Sequence, residues 1–307
     1  MTATTTTSPP PGLVVAPRLP DLMAAPKIRR GTIGFLRNHP TVAIGGALLL
    51  LLVIIGVFAP FLFTVDPTAI APAKRTRLPS ADFWFGTDAL GRDIYSRVLY
   101  GTRVSLTVGL AVALAASLIG LSIGLVAGFV RWADGVLMRC MDGLMSIPPI
   151  LLAVALMALT RGSVGNVILA ITIAEIPRVA RLVRGVVLSL REQPYVDGAV
   201  ASGTRTPMVI LRHILPNTMA PMLVQATYIC ASAMITEAIL SFIGAGTPPT
   251  IPSWGNIMAE GRALWQVKPS LIFWPGLLLS IAILSINLIG DAARDALDPR
   301  MKQREGK

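Results

Sequence analysis

The sequence predicts an all-α membrane protein with six transmembrane helices, and three observations carry that reading. Of its 307 residues, 53% are hydrophobic and 14% charged, against about 25% charged in an average soluble domain. Mean hydropathy is +0.68. Apolar runs recur along the chain, several of them near the roughly 20 residues that a helix needs to cross the hydrocarbon core of a bilayer. So few charges cannot coat the surfaces of a soluble chain this long. That composition excludes disorder and collagen, and the two cysteines, Cys140 and Cys230, far apart in sequence, give no disulfide framework and fit no metal-ligand spacing.

Residues 1–40 read as a cytoplasmic, partly disordered tail rich in Thr, Pro and Ala, with no periodic apolar face to offset the cost of ordering it. The run 41–65 follows four basic residues and is longer than a signal-peptide core, so it is expected to remain as the first span. A polar external loop, 66–103, contains the segment Gly86-Thr87-Asp88-Ala89-Leu90-Gly91-Arg92-Asp93. The five further runs, 104–130, 147–160, 163–176, 218–242 and 270–290, form a core over 104–290. The fourth run continues as a charged helix, and 291–307 is a cytoplasmic tail.

Charge orients the bundle. The N-terminal tail, the loops after the second and fourth runs, and the C-terminus hold 18 of the 27 basic residues, and basic loops stay on the cytoplasmic side. Both termini are therefore expected inside. The loop 66–103 dissents, because Lys74, Arg75, Arg77, Arg92, Arg97 and Arg103 lie in it. A net charge of +11 does not point to nucleic acid, since the basic residues lie beside apolar runs and lack interleaved stacking aromatics.

The loop 191–217 carries the most information. Pro194 suits a first helical position, Asp197 the positive helix N-terminus, and Gly203 a left-handed helix stop, which predicts a helix of about nine residues. Gly198, Ala199, Ala201 and Ser202 permit close approach of another surface. Thr206 and Pro207 start a second helix, with Pro216 expected to end it. Elsewhere, Gly120, Gly124 and Gly128 recur every fourth residue, a face that lets helix backbones approach. Glu237, about 19 residues and roughly 28 Å beyond Thr218 at 1.5 Å per residue, is expected near the external interface. With Ser241 it is a pathway or gate candidate, beside the plainer reading of a hydrogen-bonded structural carboxylate. Glu175, Arg178, Arg181 and Arg184 are expected to form a solvated or lipid-facing ion-pair face. His39 and His213 are too isolated to suggest a metal.

Asp197-Gly198-Ala199, Gly203 and Leu215-Pro216 resemble, in spacing, the loop E-A-A-x3-G-x9-I-x-L-P of bacterial ABC importer permeases, with Asp197, Gly198 and His213 departing from it. The segment 85–103, the stretch 237–244, Pro252-Ser253-Trp254-Gly255 and the ends 290–295 and 298–300 resemble the dipeptide/oligopeptide/nickel branch, in the pattern of its second, C-type subunit. The resemblance implies a type I ABC importer permease in the bacterial inner membrane. It implies a second homologous permease subunit, two ABC ATPase subunits or domains, an external solute-binding protein and membrane lipid as partners, and di- or oligopeptides as cargo. Nickel, glutathione, opines or sugars are the alternatives, and a membrane-embedded enzyme using Glu175, Glu237 or Asp291 is a rival from another class. Asp197, Gly198, Ala199, Gly203, His213, Leu215 and Pro216 would couple to the ATPases. The chain has no phosphate-binding loop, its one Gly-Lys pair being Gly306-Lys307. ATP and Mg²⁺ would thus be bound by the partners, and no catalytic residue, metal or cofactor is expected in this chain.

Overall fold

The computed structural model describes residues 40–160 and 162–297. Residues 1–39 of the expected tail 1–40, Asp298-Pro299-Arg300 and the last residues lie outside that range. The first helix, α1 (Pro40–Phe58), is apolar throughout and ends in a 3₁₀ turn, Ala59–Phe61. The second, α2 (Ile94–Phe129), is 36 residues long. It starts ten residues before the apolar run that announces it, because Asp93 caps it: its carboxylate accepts from the Ser96 N–H at 2.9 Å and the Ser96 hydroxyl at 2.5 Å.

After Val130 the chain turns into α3 (Arg131–Met145) and then α4 (Pro149–Leu159), two helices bent 86° from each other. Pro148 and Pro149 explain the bend, since neither can donate to the preceding turn. Next come α5 (Val164–Arg191), capped by Ser163, and the short α6 (Pro194–Ala201). A helix over Thr206–Val209, α7, passes through a π-turn, Ile210–Ile214, into α8 (Leu215–Phe242). The last helices are α9 (Trp254–Gly261) and α10 (Ser270–Leu297).

Pro216 does not end a helix as its sequence context suggests. In the π-turn the Leu215 N–H reaches back five residues to the Ile210 carbonyl. That widening relieves the clash a proline ring makes with the carbonyl four residues before it, and the helix runs on as one 37-residue span from Thr206 to Phe242.

By length and composition, four helices can cross a membrane: Pro40–Phe61, Ile94–Phe129, Thr206–Phe242 and Ser270–Asp295. The bent pair α3 and α4 makes a fifth if it is one span. The expected fourth span lies in α5, which is long enough but carries Glu175 near its middle and four arginines in its second half. α2 packs along α5 and against α8, while α10 lies against α1 and α8. Along the α2–α5 seam, a Cβ added to Gly120, Gly124 or Gly128 would stand 2.5 to 2.6 Å from the Cβ of Val179, Val183 or Val187 respectively. Three glycines on one helix thus face three valines at the same four-residue repeat on the other, and the backbones close to a distance that alanine would prevent.

Of the expected ion-pair face on α5, the Glu175–Arg178 pair forms and the arginines are partly exposed, but Arg181 and Arg184 pair across to another helix. Arg184 grips Asp134 of α3 through two bonds of 2.5 and 2.6 Å, and Arg181 donates to Asp142 of the same helix. Arg178 pairs at 3.0 Å with Glu175, which is buried. The charges that carry α5 out of the apolar run therefore clamp α3 to it.

Candidate functional site

At one end of the bundle, α6 projects between α5 and α7. Pro194 opens it at its first turn, and Val196, only 1% exposed, anchors it to the main core. The end is closed by paired backbone bonds: Gly203 N–H donates to the Val200 carbonyl at 2.9 Å, and Thr204 N–H to that of Ala199 at 3.1 Å. This is a Schellman closure, which needs a left-handed residue, and Gly203 has φ +79°. Asp197, Gly198, Ser202 and Gly203 are exposed, as are the larger side chains of Tyr195 and Val200. A Cβ on Gly198 or Gly203 would meet nothing within 4 Å. The outcome is a short helix with a bare small-residue flank framed by two apolar side chains. Ala199 is half-buried against the core. A cavity of about 430 Å³ lies beside the helix, between Arg131 and Glu192 and lined by Asp197. His213 sits in the π-turn with its ring 6.2 Å from that of Tyr195, while Leu215 and Pro216 begin α8.

Glu237 and Ser241 lie near the opposite end of α8. Both are buried inside the chain. Ser241 Oγ donates to Glu237 Oε1 at 2.8 Å and accepts from the Thr247 N–H at 3.2 Å. Thr247 Oγ1 in turn lies 3.1 Å from Ser253 Oγ, and Asn256 donates to Thr247 Oγ1 at 2.8 Å and to the carbonyls of Pro248 and Ile251. The carboxylate is thus the first link of a buried polar chain that fastens the loop 243–253, a tight hairpin-like reversal, to α8 and α9. Trp254 seals the hairpin, donating through its indole N–H to the Val98 carbonyl at 3.1 Å.

At the same end, residues 66–93 fold over the start of α2 as a cap. Asp88 and Glu260 meet two arginines there. Arg97 lies 2.5 Å from each carboxylate, and Arg92 lies 2.7 Å from each. Asp88, Arg92 and Arg97 are buried. Two negative and two positive charges cancel in this quartet, which lets Asp88, Arg92 and Arg97 tolerate burial while Glu260 stays a quarter exposed. Lys268, also buried, donates to the Arg77 carbonyl, and burial holds its ammonium pKa below the ordinary lysine value. Asp88, Arg92 and Arg97 all fall within the segment 85–103, whose sequence does not announce their joint role. The i, i+4 spacing of Asp88 and Arg92 was the readable signal, whereas Glu260 joins only through tertiary contact.

The quartet also accounts for part of the dissenting positive charge. Arg92 and Arg97 are neutralised internally, and Arg103 donates to the carbonyls of Gly56 and Val57, capping the C-terminal end of α1.

Comparison with known proteins places this geometry. The family described as binding-protein-dependent transport system inner membrane component matches residues 100–303. A probable peptide ABC transporter permease of Sinorhizobium fredii is 52% identical over 91% of this chain and 96% of its own. A dipeptide transport system permease of Alkalihalophilus pseudofirmus is 38% identical over 87% and 88%, and a glutathione transport system permease of Pectobacterium atrosepticum 40% over 87% and 89%. Among solved structures, an inward-facing form of the MetNI methionine ABC transporter superposes with a TM-score of 0.56 at 20% identity, covering 66% of this chain and 96% of that one; at that identity the likeness speaks for the fold. The all-helical bundle with its small projecting helix is accordingly a permease component of an ABC importer, and the chain belongs to the family of inner membrane components of binding-protein-dependent transport systems.

Proposed function

We propose that this chain forms half of a membrane pathway for di- or oligopeptides and couples it to ATPase partners through α6. The observation that carries the coupling role is the closure of α6 at Gly203, which leaves Gly198, Ser202 and Gly203 bare beside Tyr195 and Val200. A helix that buries one residue in the core and offers the rest to a partner suits docking, and Asp197 and His213 add polar contacts at its edges. Peptides are the favoured cargo because the similar proteins of Sinorhizobium and Alkalihalophilus are described as peptide and dipeptide permeases. Glutathione, itself a small peptide, is the second reading, supported by the Pectobacterium relative.

In this reading the third span runs through α4, within 147–160, and α5 is the fourth, which makes six in all, and both termini are cytoplasmic. α6 then faces the cytoplasm, and the cap and the hairpin 243–253 face outward. The ring chain Phe63, Trp84, Tyr95, Phe85 and Trp274, with neighbouring centroids 4.2 to 6.3 Å apart, suits the outer interfacial belt. Glu237 and Ser241 act on the pathway by fixing the hairpin. ATP and Mg²⁺ bind the ATPase partners, a second permease supplies the other half of the pathway, and an external binding protein delivers cargo.

The test is site-directed crosslinking. With Cys140 replaced, a cysteine at Ser202 should crosslink to an ATPase subunit in membranes of the full complex, and one at Ser80 should not. Crosslinking of neither, in a complex that transports, would remove the coupling role.

A further inference from the structure

The cap precedes the matched family region, 100–303, and of its four cations three remain once Arg92 is used in the quartet. Lys74, Arg75 and Arg77 are exposed. Among the described residues, no carboxylate lies within 4 Å of any of them. Lys74 rests over the Phe83 ring at 5.3 Å.

The backbone beneath these side chains is held from several directions. Thr76 N–H donates to the Asp88 carbonyl at 3.0 Å and Arg77 N–H to Thr87 Oγ1 at 2.8 Å. Thr87, fully buried, returns its hydroxyl to the Lys74 carbonyl and its N–H to that of Arg77, which Lys268 also reaches. Thr76 has φ +49°. A β-branched residue stays in that left-handed region only where its surroundings over-determine it. Asp88, which supplies one of these carbonyls, is itself fixed by the buried quartet.

We propose that Lys74, Arg75 and Arg77 form a rigid cationic docking ridge for an acidic face of the external solute-binding protein, a proposal that rests on the importer reading and outward placement given above. A ridge with its backbone already fixed loses little freedom on binding a shaped protein surface. Lipid attraction, by contrast, works through longer polybasic segments and is strongest at the anionic cytoplasmic leaflet. Unpaired exposed cations steer a negatively charged partner and make its association salt-dependent.

The experiment measures binding of the cognate binding protein to the full complex in nanodiscs of zwitterionic lipid, comparing wild type, Arg75→Glu/Arg77→Glu and Arg75→Lys/Arg77→Lys. The Glu pair should bind about tenfold more weakly at roughly 50 mM salt, mainly through slower association, and the gap should narrow at about 0.5 M. The Lys pair should stay within about twofold of wild type, since it keeps the charge. If the Glu pair fails to assemble, Arg75→Gln/Arg77→Gln replaces it, with an expected weakening of about threefold. Equal affinity of charge-altered and wild-type complexes at low salt would overturn the proposal. So would an effect seen only in nanodiscs containing anionic lipid, which would assign the ridge to phosphate headgroups. A wild-type complex that binds no binding protein at all would instead count against the importer reading.

Discussion

Arg97 and Glu260, 163 residues apart in sequence, meet in a two-pronged ion pair with separations of 2.5 and 2.9 Å, and the same guanidinium reaches Asp88. The pair joins the first turn of α2 to α9, so the cap and the hairpin that precedes α9 share one anchor.

Removing Arg97 should therefore cost more than removing Glu260. Arg97→Met leaves the buried Asp88 carboxylate with Arg92 as its one remaining cation, and breaking a buried pair in this way costs about 3 to 5 kcal/mol. Glu260 is a quarter exposed, so water can take over part of its role, and Glu260→Gln, which turns one of two accepting oxygens into a donor, should cost about 2 kcal/mol. Thermal unfolding of the purified complex, followed by aggregation of this chain, checks the order. Equal midpoints for the two variants would contradict it.

The seam between α2 and α5 makes a sharper packing prediction. Gly124→Leu adds a side chain whose Cβ alone would stand 2.6 Å from Val183 Cβ and 2.7 Å from the Ala180 carbonyl oxygen. Overpacking of this kind costs about 1 to 3 kcal/mol, or more where backbone must move. Yield of assembled complex should drop sharply, and the exchange Gly124→Val with Val183→Gly should recover part of it. An assembled yield for Gly124→Leu equal to wild type would show that the helices do not close at this point.

Much of this was legible in the sequence, and all the exceptions but Pro216 share one cause. The glycine repeat, the first-turn Pro194 and the stop at Gly203 are local signals, and the structure shows each in its own turn of chain. What depends on distant partners was hidden. The start of α2 at Ile94 escaped hydropathy because Arg97 and Arg103 read as polar, although one is buried against Glu260 and the other caps α1. Arg181 and Arg184 read as a solvated face because Asp134 and Asp142 lie on another helix. Pro216 read as a stop because nothing local announces the π-turn before it.

Gly203→Val tests the coupling role proposed for α6 without filling any space, since no atom lies within 4 Å of the added Cβ. The left-handed φ of +79° should strain the closure by about 1 to 2 kcal/mol. The complex should still assemble and bind its binding protein, while uptake and the stimulation of ATPase activity by loaded binding protein fall together. Normal uptake with normal stimulation would remove Gly203 from the coupling path.

Topology has its own check. In sealed cells and a Cys140→Ser background, an impermeant thiol reagent should label single cysteines at Ser80 and Thr250 but not at Gln193. Labelling at Gln193 would reverse the assigned orientation.

The central claim, a peptide-importing permease half driven by partner ATPases, is tested most directly by reconstitution. Proteoliposomes holding this chain, its partner permease and the ATPases, with binding protein and radiolabelled dipeptide outside and ATP inside, should accumulate the dipeptide. Accumulation should require ATP and binding protein together and fall in the Gly203→Val complex. Accumulation that needs neither, or none for any peptide in a complex whose ATPase responds to loaded binding protein, would contradict the account.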